Sequence, residues 1–170
     1  IVVNGAVIQA VNTVSLEAVG NIRDSANTNV DINASNFVAT SNTGSIGASS
    51  DALEVTVSNI SAQAAGSIVV NGTTGDLTVT DLTTVKGGTL VSGVNAGGNV
   101  CVDASAGSLV VNSAVSGANV HLAALNSVAL NANTAATNQL EVLASNGGIS
   151  GGGQLSSQEL ILASNSSIGP

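Results

Sequence analysis

Three residues that could do chemistry stand at a fixed interval in this chain. Cys101, His121 and Glu141 are each 20 positions apart. A thiol, an imidazole and a carboxylate are competent zinc ligands, and a thiol beside an imidazole can form a nucleophile pair. Both chemistries need convergence. The flanking residues alternate apolar and polar, as in Val100-Cys101-Val102 and Val120-His121-Leu122. On stacked strands this pattern sets the three side chains in a flat ladder, which is no tetrahedral cage. The plain reading is three polar residues on one solvated or packed face, so no catalytic, cofactor or metal role is assigned to them. The acids Asp24, Asp51, Asp76, Asp81 and Asp103 are scattered over turn-like segments, and the only bases are Arg23 and Lys86.

The elements that would carry these residues repeat. Val100-Cys101-Val102-Asp103-Ala104 recurs as Val120-His121-Leu122-Ala123-Ala124, Leu140-Glu141-Val142-Leu143-Ala144 and Leu160-Ile161-Leu162-Ala163-Ser164. Looser copies lie upstream at Leu77-Thr78-Val79, Leu53-Glu54-Val55, Val30-Asp31-Ile32 and Val14-Ser15-Leu16-Glu17-Ala18. A second strand type reads Ile68-Val69-Val70-Asn71, Leu109-Val110-Val111-Asn112 and Val128-Ala129-Leu130-Asn131, and Ile1-Val2-Val3-Asn4-Gly5 matches the first of these. A third, weaker type carries Val85, Val94, Val115 and Leu155. Two inward side chains cannot bury themselves on one isolated strand. Stacking each strand on its equivalent, about 4.8 Å away, buries them in continuous columns.

The fold expected is therefore all-β: a right-handed parallel β-helix with three short strands per coil and about 20–24 residues per coil, within the range of solenoid repeats. Residues 1–170 form a single solenoid segment. The predicted core columns are Val100, Val102, Val120, Leu122, Leu140, Val142, Leu160 and Leu162. Asn71, Asn112 and Asn131 are expected to stack at one corner. Val69, Val91, Val110 and Ala129 are expected to point outward as an apolar stripe for lateral contact.

Composition agrees with a narrow core. Phe37 is the only aromatic, so Val, Ile, Leu and Ala must fill the interior. Charged residues make up 7% of the chain, which leaves Asn, Ser, Thr and Gly to meet water. The net charge of -8 argues against nucleic acid, which needs a basic stripe to neutralise phosphates. No apolar run approaches the roughly 20 residues of a membrane span.

Ala39-Thr40-Ser41-Asn42-Thr43-Gly44-Ser45-Ile46-Gly47 followed by Leu53-Glu54-Val55 resembles the repeats of large bacterial exoproteins of the filamentous haemagglutinin type. Leu143-Ala144-Ser145-Asn146-Gly147-Gly148-Ile149 and Leu162-Ala163-Ser164-Asn165-Ser166-Ser167-Ile168-Gly169 are similar to them too. The resemblance covers most of the chain and is weakest over about its first thirty residues. It implies a segment of an extracellular adhesin or surface fibre, secreted with an outer-membrane partner. The alternative is a ligand-binding β-helix module that takes a carbohydrate or a receptor. An enzyme is not expected: β-helix polysaccharide lyases gather acids around calcium beside a base, and the acids here are dispersed. The Gly-Gly-x-Gly-x-Asp nonapeptide of calcium-binding β-rolls is also absent. Neither end looks like a cap, so the expected partners are further coils of the same chain, other copies stacked end to end or laterally, or a host or neighbouring cell surface.

Overall fold

The computed structural model describes every residue except Asn4, Ala26, Asn27 and Pro170. The described residues form no helix, and their parallel sheets stack as a β-solenoid of about 8 turns. Two long sheets make the walls. The first wall has eight strands, in the order Ile8–Gln9, Ile32–Asn33, Leu53–Thr56, Ile68–Gly72, Val100–Ala104, Val120–Ala124, Gln139–Ala144 and Glu159–Ser164. The repeat sets its register: Val100 pairs with Val120, Val120 with Leu140, and Leu140 with Leu160.

The second wall has eleven strands and changes form along the rod. It begins as six-residue strands, Thr13–Ala18, Asn36–Ser41 and Asn59–Ala64. The last of these pairs through Asn59 and Ile60 with Leu77–Val79, and through Ala62 to Ala64 with Val94–Ala96. From there the wall runs on as two rows. One holds Leu77–Val79, Leu109–Val111, Val128–Leu130 and Ile149–Ser150, and the other Val94–Ala96, Val115–Gly117, Thr134–Ala136 and Leu155–Ser156. Between the rows, in the coil where they divide, an antiparallel hairpin pairs Leu82–Thr83 with Leu90–Val91. It stretches that coil to 32 residues, counted from Ile68 to its partner Val100, beyond the expected 20–24.

The core is one apolar column set. Val100, Val102, Val120, Leu122, Leu140 and Val142 are at most 1% exposed, as their period-two pattern requires. Leu160 and Leu162 align with them but lie on the outermost strand of the wall; Leu160 is 48% exposed and Leu162 only partly buried. Phe37, in the early coils, is fully buried in this core.

Several sequence assignments change, among them Leu77–Val79, expected as a copy of the first strand type and found in the second wall. Ile68–Gly72 belongs to the first wall, where Ile68 pairs with Val100 and Val70 with Val102. Leu77 takes the place expected for Ile68, in a column with Leu109, Val128 and Ile149. Val14–Ala18 lies in the second wall, paired residue for residue with Phe37–Ser41. Val94, Val115 and Leu155 share a row as expected, whereas Val85 is an exposed residue between the two hairpin strands. Asn131 donates to Asn112 across 2.9 Å, but Asn71 stands in the first wall and takes no part in that ladder. Asn4, in the match between Ile1–Gly5 and Ile68–Gly72, lies outside the described residues.

Candidate functional site: outward columns and a buried acid cluster

The outward column of the first wall is built by register alone. Val69, Cys101, His121, Glu141 and Ile161 are successive partners across adjacent strands. Outward residues alternate with the buried core residues, which leaves Cys101, His121 and Glu141 half-buried. His121 Nδ1 lies 2.8 Å from Glu141 Oε2, with side chains 35% and 32% exposed. A surface pair of this kind contributes about 0–1 kcal/mol. Burial, and then the charge of Asp103, pushes the Cys101 thiol upward in pKa, which opposes the thiolate a nucleophile needs. Cys101 and His121 share no hydrogen bond, so the column orders its polar groups without assembling a nucleophile–base pair.

A shallow groove of about 250 Å³ runs beside this column, lined by Val69, Cys101, His121 and Glu141 with Ser49 and Gln139. Gly47 brings the loop carrying Ser49 against the wall. Its φ is +68°, and a Cβ there would stand 2.0 Å from the carbonyl oxygen of Val69, so only glycine fits.

The structure does not bring the expected lateral stripe together. Val110 and Ala129 are direct partners in the second wall, followed by Ser150. Val69 lies in the other wall, since Ile68–Gly72 pairs with Val100–Ala104, and it is 9% exposed. Val91 belongs to the hairpin and is 2% exposed. Its carbonyl accepts a hydrogen bond of 2.5 Å from the buried Ser61 hydroxyl, which holds the hairpin on the second wall. The hairpin thus lies against Asn36–Ser41 and Asn59–Ala64, away from Val110 and Ala129.

A different cluster emerges where the first wall is interrupted. Ile22, Ile46 and Ile68 stack through single parallel bridges, but Arg23–Asp24 pairs with Val2–Val3 in a separate two-stranded sheet, and the first wall resumes at Ile32. One coil on, the chain leaves its bridge at Ile46 and joins the first wall at Leu53. Asp24 and Asp31 flank the first interruption, and Glu54 follows the second. One carboxylate oxygen of each of the three lies within 4.8 Å of the others, and the residues are only 4%, 2% and 7% exposed. The Glu54 amide donates to Asp31 Oδ2 at 3.1 Å, and the Asp24 and Asp31 carboxyls share a hydrogen bond. Burial is the main force on Asp31, whose pKa is pushed up to about 7, with Asp24 and Glu54 adding to the rise. Burial and the charges of Asp24 and Asp51 raise Glu54 as well. Among the described residues this is the only group of three or more such ligands so gathered.

No family model, no curated protein and no solved structure matches the chain.

The resemblance to haemagglutinin-type repeats therefore stands on the repeat residues alone. The acid cluster was missed in the sequence because Asp24 reads as a turn residue and Asp31 and Glu54 as strand positions. One signal was present: Asp31 and Glu54 are 23 positions apart, one coil of this part of the rod, as the pairing of Ile32 with Val55 records.

Proposed function

We propose that this chain is a rigid structural segment of an extracellular bacterial filament or giant surface protein. Its work is to hold distance and present its flanks to neighbours or to a cell surface. The observation that supports this most is the first wall, eight strands in one parallel order over one continuous apolar core. Such a stack resists bending, because each strand is hydrogen-bonded to its equivalent on the next coil.

The outermost strand of that ladder, Glu159–Ser164, carries Leu160 at 48% exposure, and Ile168 beside it is 50% exposed. A strand edge over an open apolar layer is a template for another coil, whichever polypeptide supplies it. Solution scattering and negative-stain electron microscopy of the purified chain test the reading. Rods that lengthen with concentration, and shorten in a Leu160→Asp, Ile168→Asp double variant, are expected. A monodisperse particle of one chain at all concentrations would overturn end-to-end association and favour a self-contained ligand-binding module.

A further inference from the structure

We propose that Asp24, Asp31 and Glu54 form a calcium-binding site that fastens the interrupted part of the first wall. The acids alone would not establish a site. A second observation points to a ligand: Glu54 is 7% exposed, and its Oε2 is buried without any hydrogen-bond partner. A buried carboxylate oxygen with no donor is unfavourable, and a cation relieves it, as does uptake of a proton. The next residue along the same column is Asn71, the direct partner of Glu54, and its Oδ1 is also buried and unpartnered. Two orphaned oxygens thus belong to directly paired residues on adjacent strands.

The chemistry of the donors selects the ion. The gathered donors are all carboxylate oxygens, with no thiolate or imidazole among them. Hard cations take such a set. Calcium binds six to eight oxygens at about 2.3–2.6 Å, so oxygens bound on opposite sides of it lie up to about 5 Å apart. The 4.8 Å limit on the carboxylate oxygens is within that span. Magnesium requires near-ideal octahedral geometry at about 2.0–2.1 Å and retains waters, which suits this buried, irregular site less. The charged groups acting on Asp31 are Asp24 and Glu54, and those acting on Glu54 are Asp24 and Asp51, so a bound cation would relieve their mutual repulsion.

The position gives the ion a task. Asp24 ends the two-stranded sheet, Asp31 immediately precedes the first-wall strand Ile32–Asn33, and Glu54 belongs to the next coil. One cation would therefore tie these elements and two coils together. This inference is independent of the filament reading, because it concerns how the chain is held and not what the rod contacts.

The test uses the full chain stripped with EDTA. Calorimetric titration with calcium chloride should show one site, and the melting temperature should rise by about 5–10 °C at a hundredfold excess over Kd. Glu54→Gln should abolish both effects. Glu159→Gln removes the same charge at an exposed position at the far end and should retain both. Absence of heat and of any melting shift in the wild-type chain overturns the proposal, as does an unchanged response in Glu54→Gln. An equal response to magnesium chloride overturns the choice of calcium. If Glu54→Gln does not fold, Asp31→Asn takes its place, and the wild-type titration still decides.

Discussion

The early and late coils of this rod solve the same problem in different ways. From Val100 onward each coil takes 20 residues, with three short strands and tight corners, and the first-wall strands from Val100 to Ala144 alternate buried and half-buried residues without a break. Before Ile68 the second wall is a single six-residue strand per coil, and the first wall is repeatedly left and rejoined. The regular coils bury almost only apolar side chains. The irregular ones bury Asp24, Asp31, Ser41, Glu54 and Ser61. A coil that leaves its sheet exposes backbone groups and creates covered space beside the wall, and polar side chains fill it. Uniform repetition gives stiffness, and departure from it gives enclosed polar sites.

The comparison can be broken most severely in the regular half. Leu122 is fully buried between Val102 and Val142, so Leu122→Asp should abolish the folded state, because an unpaired buried carboxylate costs several kcal/mol. Loss of the cooperative unfolding transition in circular dichroism checks this. The hairpin that separates the halves should respond less. Val91→Asp should cost about 2–4 kcal/mol and release the hairpin from the second wall. Lys86, exposed between the hairpin strands, should then be cut by trypsin faster than in the parent chain.

In the irregular half the expected effect is on pH dependence. Asp31 is raised above its unfolded value, so the folded chain holds its proton more tightly than the unfolded one does. The contribution is complete below about pH 4 and is lost as pH rises through about 7, the folded value. In EDTA the melting temperature should fall over that interval, with Asp24, Glu54 and Asp51 acting on the same cluster. An Asp31→Asn variant that keeps the full slope would sink this account. The smallest effect belongs to the regular half's surface: His121→Ala removes one half-exposed pair and should change stability by less than about 1 kcal/mol.

Legibility in the sequence divides along the same line. The pairing of Val100 with Val120 and Leu140 could be read directly, because an interval that never changes identifies its own partners. Ile68-Val69-Val70-Asn71 was assigned to the wrong wall because it matches Leu109-Val110-Val111-Asn112 in local pattern, and any two-sided strand with an Asn after it looks the same. Only the distance to the next coil distinguishes them, and the hairpin hides that distance. The hairpin itself has a weak signal in Lys86-Gly87-Gly88, where both glycines have positive φ. Asp24 is out of step with the coil interval, so no periodicity would have joined it to Asp31 and Glu54.

Coil length has a consequence under load. If the ends of this chain were pulled apart, each regular coil would peel from its neighbour and release 20 residues, about 70 Å of extended chain. The coil from Ile68 to Val100 would release 32 residues, about 110 Å, in a step of its own. A force trace of this rod would show even teeth for the coils after Val100, uneven ones for the early coils, and one longest tooth where the hairpin divides the second wall.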